Sequence, residues 1–241
     1  MNERPHPLLS ALEHIERSAW EDLAAVAPAP VAQGMGLKAK RLNHALLFMA
    51  SRVPQFQFNW LAGAGLAGDD GSAIDLALEE FRAAGQDKYF IQIASGTRAG
   101  DCAARAAAAG LAPHPLAWAK FHRETTAMPA VSTALDIREV GPEERAAFAG
   151  TEAVATGALY VDGDFAWLGI GATRPASRRQ GAQSALLAHR LREAVRFGAR
   201  HATTETGVPQ AAAPAPSYQN IRRAGFDVAY VRPNWTQPQW L

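Results

Sequence analysis

Phe165-Ala-Trp-Leu-Gly-Ile-Gly-Ala-Thr-Arg-Pro175, then Ala-Ser-Arg178-Arg179-Gln180-Gly181-Ala182-Gln183-Ser184, then a run closing at Gly198, is the stretch that decides the fold. In order it predicts a strand, a basic glycine loop and a helix. Aromatic and β-branched residues favour the strand, and Pro175, which cannot donate to a ladder, ends it. In the run that follows, Leu187, Leu191, Ala194 and Val195 recur at helical spacing and predict a buried face, with His189, Arg190, Arg192, Glu193 and Arg196 on the other. Gly198 stops the helix, and Arg196 lies in its last turn, where the macrodipole favours a cation. Gly181 lets backbone approach a ligand closely, and the start of a helix leaves several N–H groups unpaired. With Arg178 and Arg179 beside them, these amides make an anion site suited to phosphate or pyrophosphate.

Upstream, Asp162-Gly163 signals a tight hairpin joining strand Ala153–Val161 to strand Phe165–Thr173. Ser132–Val140 is a predicted strand, and Gly141-Pro-Glu-Glu predicts a short helix to Phe148. Downstream, His201–Thr206 is a strand, Ser217 caps a short helix Tyr218–Ala224, and Phe226–Arg232 is the last strand. In the first half, Leu8–Val26 is an amphipathic helix that ends at Pro28-Ala-Pro30. Residues 31–54 fit strand or helix equally. Phe56–Ala62 and Tyr89–Ala94 are predicted strands, and Ala73–Ala84 and Asp101–Ala109 predicted helices, with Ser72 as the cap of the first. Thr125–Val131 reads as a linker, which sets domains at 1–130 and 131–241. Gly63-Ala-Gly65-Leu-Ala-Gly68 spells a dinucleotide fingerprint, yet Asp69-Asp70 follows and the helix starts later, so a flexible glycine loop is the better reading.

The loop Arg178-Arg179-Gln180-Gly181-Ala182-Gln183 resembles the acyl-CoA-binding loop of the GNAT N-acetyltransferases, Arg/Gln-x-x-Gly-x-Gly/Ala, with Gln183 where the family has a small residue. The resemblance covers roughly residues 153–232. It implies an α/β (α+β) fold with a mixed, mainly antiparallel sheet flanked by helices, and acetyl-CoA as co-substrate. It also implies N-acetylation of a small-molecule or peptide amine. The pyrophosphate would meet the loop Arg178, Arg179, Gln180, Gly181, Ala182, Gln183 and Ser184, and the pantetheine would lie along Ile170, Gly171, Ala172 and Thr173. Asn220 matches a family asparagine that contacts the cofactor. The family tyrosine four residues before Gly225-Phe226 is replaced by Ile221.

Acyl transfer also needs a base for the amine and an acid for the thiolate. Glu205, inside Thr203-Thr-Glu-Thr, is a base candidate or a solvated strand-end carboxylate. Tyr218 is an acid candidate or a packed tyrosine. The halves repeat one order: helix end at Gly85 or Gly198, strand, helix end at Gly110 or Gly225, strand. That order predicts two GNAT-like units, of which only the second keeps the basic loop. A non-catalytic acyl-CoA-binding module is the alternative function.

Composition bounds the rest. The chain has 241 residues, 48% of them hydrophobic, and a formal net charge of +1, which gives no general attraction to nucleic acid or membrane. Its single cysteine, Cys102, excludes an internal disulfide, and the scattered histidines predict no metal site. A cytoplasmic monomer or homodimer is expected.

Overall fold

The computed structural model describes residues 5–131, 133–139, 145–149, 152–211 and 215–241. In chain order the elements are α1 (Leu9–Val26), α2 (Ala29–Met35), β1 (Leu37–Leu42), β2 (Ala45–Ala50), β3 (Asn59–Ala64), α3 (Ser72–Ala83), β4 (Phe90–Ile93), α4 (Ala99–Ala108), β5 (Ala112–Pro113) and β6 (Trp118–Glu124). Then follow β7 (Asp136–Glu139), β8 (Arg145–Ala149), β9 (Glu152–Asp162), β10 (Phe165–Thr173), α5 (Ala182–Arg196), β11 (His201–Gly207), α6 (Pro216–Arg223), β12 (Asp227–Arg232) and β13 (Asn234–Thr236).

The chain divides into two compact units, Met1–Trp118 with Tyr230–Leu241, and Ala119–Ala229. The expected boundary at 130/131 differs for two reasons. The linker-like stretch after β6 begins tied to the second unit, where Thr125 donates its N–H to the Arg200 carbonyl and its hydroxyl to that of Ala199. The final strand, β13, belongs to the first sheet.

The first sheet runs β1-β2-β3-β4-β13-β5, antiparallel except for the parallel step β3–β4. Both faces are buried. Alternation along β2 sends Leu47 and Met49 to a core with Ile74, Phe81 and Cys102 of α3 and α4, and Leu46 and Phe48 to Trp60 and Trp20. A strand buried on both faces loses its period-two pattern, which is why residues 31–54 are ambiguous as sequence. Helix α1 also buries Glu13, Glu16 and Arg17. The Arg232 guanidinium donates to Glu13 and Glu16 at 2.9–3.3 Å, and the Tyr230 hydroxyl donates to Glu13 at 2.7 Å.

The second sheet runs β7-β8-β9-β10-β11-β6-β12. Strands β7 to β10 are antiparallel, and β10–β11 is parallel. Leu187, Leu191 and Ala194 of α5 and Ile221 of α6 close one core over Ala166, Leu168, Ala202 and Phe121. Leu191 is fully buried there, so truncation to alanine removes about 2–5 kcal/mol. Each sheet therefore holds, next to its last-placed strand, one strand from a distant part of the chain: β13 in the first, β6 in the second.

Several local expectations change. The helix predicted to run to Phe148 is strand β8 at 145–149, because β7 and β9 flank it and supply ladder partners on both sides; residues 140–144 lie outside the described residues. Ser217 sits inside the first turn of α6, after Pro216, and caps nothing. Ser72 is the first residue of α3, and its N–H goes to the Asp70 carboxylate. Val195 is 44% exposed, whereas Arg190, expected on the solvent face, is buried.

Candidate active site

Strand β10 departs from regularity where the resemblance implies a bound pantetheine. Gly169 faces Ala158 of β9, and the next pair is Ala172 with Thr156, so Ile170 and Gly171 together oppose Gly157. This is a β-bulge, which bends a strand and re-aims its amides. Ile170 takes φ 48°, a left-handed conformation costly for a β-branched residue, and its side chain is exposed. Gly169 is required to be glycine: a Cβ there would overlap the Trp167 indole, which covers it from one face of the sheet.

On its other side β10 parts from β11. The parallel ladder covers Phe165 to Trp167 against His201 to Thr203 and goes no further, although β10 continues to Thr173 and β11 to Gly207. The Thr204 hydroxyl, not a backbone amide, takes the Leu168 carbonyl, at 2.7 Å. The two strands thus open a split whose β10 wall is the bulge, with Gly171 and Ala172 exposed and Thr173 half-buried.

The basic loop follows directly. Arg179 and Gly181 both have positive φ, 65° and 80°, so the chain turns twice before Ala182 begins α5, and no side chain caps that helix. Arg178, Arg179 and Gln180 are exposed, and neither arginine has an ion-pair partner among the described residues. Arg174 is paired with Glu152. Uncapped amides, two free guanidinium groups and a left-handed glycine together suit a pyrophosphate. Ala182 is buried, Gln183 and Ser184 half-buried. Gln183, the departure from the family pattern, accepts a 2.9 Å hydrogen bond from Asn220 of α6. Two positions singled out independently in the sequence are therefore one contact, which ties the first turn of α5 to α6.

The two candidate proton carriers differ in setting. Glu205 is two residues past the end of the β10–β11 ladder. Alternation puts it on the face opposite α5, since Ala202 packs into the α5 core. Its carboxylate is 3.7 Å from the ammonium of Lys120, a fully buried residue of the neighbouring strand β6. Tyr218 packs its ring edge-on against Phe121, centroids 5.1 Å apart, and Ile221 is buried beside it in the core.

Sequence reasoning missed Arg190, Gly157 and Lys120. The interval Ala182–Leu186–Arg190 is i, i+4, i+8 and puts Arg190 on the buried ridge. Gly157, alone inside a predicted strand, is the signal of a close approach. The burial of Lys120 has no local signal, because it comes from strand order.

The glycine string of the first half has a different fate. Asp69, almost fully buried, accepts the N–H groups of Gly65 and Gly71 at 2.7 and 2.8 Å and the Cys102 thiol at 3.1 Å. Burial opposes ionisation of Asp69, but the donors from Gly71, Cys102 and Gly65 outweigh it and its pKa lies below the ordinary value. Burial and the Asp69 carboxylate push the Cys102 thiol up to about 12, so it is no nucleophile at neutral pH. Among the described residues no cluster of three or more His, Cys, Asp or Glu side chains could hold a metal, and no helix is long and apolar enough to cross a membrane.

No protein-family model and no curated protein sequence matches this chain. Solved structures do. A GCN5-related N-acetyltransferase from Kribbella flavida superposes with a TM-score of 0.58 at 14% identity, over 89% of this chain and 95% of that one. Another GCN5-related N-acetyltransferase, from Sphaerobacter thermophilus, gives 0.53 at 12% identity over 96% and 93%. A tandem GNAT protein from the clavulanic acid biosynthesis pathway gives 0.52 at 12% identity over 93% and 91%. At these identities the likeness is one of architecture alone. The chain has the fold of the GCN5-related N-acetyltransferases.

Proposed function

We propose that this protein is an N-acetyltransferase that moves an acetyl or related acyl group from acetyl-CoA to the amine of a small molecule or peptide. The observation that carries the reading is the succession, within one stretch of chain, of the β10–β11 split, the bulge at Ile170–Gly171 and the uncapped start of α5. In this reading the amides of Gln180–Ser184 with Arg178 and Arg179 hold the pyrophosphate. Asn220 supports Gln183, and the backbone of Ile170–Thr173 pairs with the pantetheine as an added strand. An amide of the bulge donates to the thioester oxygen as negative charge develops on it. The amine nitrogen bonds to the carbonyl carbon, the C–S bond breaks, the amine proton passes to Glu205 directly or through water, and the thiolate takes a proton from Tyr218 or solvent.

The chain is further read as a tandem of two such units, the first without a cofactor site. The shared order of elements supports this: an antiparallel run, a parallel step, two helices and one inserted strand in each sheet. So does the likeness to a solved structure that is itself described as a tandem GNAT protein.

Calorimetry with acetyl-CoA tests the reading. One site per chain is expected, lost in Gly181→Glu; two sites, or an unchanged affinity in the variant, would refute it. A non-catalytic acyl-CoA-binding module is the second reading, favoured by the buried Ile221 where the family tyrosine would stand. Release of free thiol on adding amines separates the two.

A further inference from the structure

Arg190 is the one buried cation of α5. Its guanidinium donates through Nη1 to the carbonyl oxygens of Ala158 at 2.9 Å and Gly169 at 3.1 Å, and through Nε to the Leu186 carbonyl of its own helix at 3.1 Å. No carboxylate pairs with it among the described residues. Burial lowers its pKa to about 10, so it remains a cation at neutral pH. A buried, unpaired charge is a cost that packing alone would avoid by using leucine.

Its placement gives the cost a use. Ala158 and Gly169 are the last regular pair of the β9–β10 ladder before the bulge. Gly157, opposite the bulge, leaves room for the guanidinium: a Cβ there would lie 2.8 Å from its central carbon. Gly169 is thus held between the Trp167 indole on one face and the Arg190 cation on the other. In a trans peptide the N–H points opposite to the C=O, so fixing the Gly169 carbonyl toward Arg190 fixes the Ile170 N–H away from it. Drawing electron density toward that carbonyl also makes the same N–H a stronger donor.

We propose that Arg190 is a positioning residue: through the Gly169 carbonyl it locks the left-handed Ile170 turn and polarises the Ile170 N–H, the donor aimed at the thioester oxygen of the acyl-CoA. The proposal rests on the acyltransfer reading of β10. It assigns Arg190 to the reacting end of the substrate, and not to the phosphate grip, from which its carbonyl partners are separate.

The test uses the full chain with Arg190→Met, Arg190→Lys and Gly157→Ala. The last displaces the guanidinium without removing it. Expected are a fall in kcat of about thirtyfold for Arg190→Met and Gly157→Ala, partial recovery in Arg190→Lys, and a Kd for CoA itself within twofold of the parent. The ¹⁵N resonance of Ile170 should shift when acetyl-CoA binds the parent and not when it binds Arg190→Met. If Arg190→Met does not fold, Gly157→Ala and Arg190→Lys carry the same comparison. A parent that turns over normally while the variants keep its kcat would overturn the role of Arg190 and leave the acyltransfer reading intact. Losses of kcat that only track losses of CoA affinity or of melting temperature would also overturn it. A parent that binds no acyl-CoA would remove both.

Discussion

The turn into α3 and the turn into α5 occupy the same place in their sheets and differ in what answers their amides. At Gly65–Ser72 the answer is internal. Asp69 takes two backbone N–H groups and Asp70 takes the first N–H of α3. At Arg178–Ser184 no side chain takes that role, and two arginines stand free beside it. The strands before the turns differ in the same sense. Strand β3 also breaks register, between Leu61 and Ala64, but it rejoins β4 at Ala64–Ile93, and the Ala94 N–H reaches the Ala64 carbonyl at 2.8 Å. A Cβ at Gly65 would lie 2.5 Å from the Ala94 carbonyl oxygen, so that wedge is filled by backbone. Strand β10 never rejoins β11. The first turn is thus sealed by its own carboxylate and ladder, while at the second the strands stay parted and no side chain caps the helix.

Gly181→Glu places a side chain and a negative charge in the proposed phosphate site and should weaken acetyl-CoA binding by at least a thousandfold in calorimetry. Gly68→Glu in the other turn should leave affinity within twofold. Equal losses would make the turns equivalent. Asp69→Ala leaves two buried amides without an acceptor and should cost about 2–4 kcal/mol of stability by urea unfolding, with CoA affinity unaltered. A neutral effect would mean the first turn does not depend on its carboxylate. Glu205→Gln should lower kcat about a hundredfold with little change in CoA affinity, by steady-state kinetics, and an unaltered rate would return Glu205 to a purely ionic partner of Lys120.

Smaller is the acid response. Because the folded Asp69 has a lowered pKa, its contribution is fully present above the unfolded value of about 4 and disappears as the pH falls through the folded value. Urea midpoints between pH 5 and 3 should therefore fall more steeply in the parent than in Asp69→Asn. Smallest is Gln183→Ala, which removes the Asn220 contact and should weaken acetyl-CoA binding by about fivefold, or about 1 kcal/mol.

The second unit was the more legible in sequence, and the reason is physical. Strand β10 coincides with its expected span because aromatic residues, Asp162-Gly163 and Pro175 all act locally. The loop and α5 were legible through Gly181, the two arginines and the spacing of Leu187 and Leu191. What local signals missed depends on partners distant in sequence. Gly141-Pro-Glu-Glu resembles a helix start, yet pairing with β7 and β9 makes 145–149 a strand. Arg190 looks like any surface arginine until the carbonyls of Ala158 and Gly169 meet it. Glu205 was visible as an isolated charge in a strand, but its ammonium neighbour Lys120 was not, because β6 reaches β11 only through the sheet order.

The placement of β6 and β13 has a consequence for synthesis. The first sheet closes only when Asn234 and Trp235 pair with Gln92 and Ile91, so β4 and β5 emerge from the ribosome with facing edges unfilled and wait for the rest of the chain. Such edges are templates for wrong pairing. The non-local closure also makes folding slow relative to local hairpins. The first sheet therefore cannot be completed until the very end of translation: a chain stopped after Arg232 would hold every strand of the second sheet and a first sheet with a gap where β13 belongs.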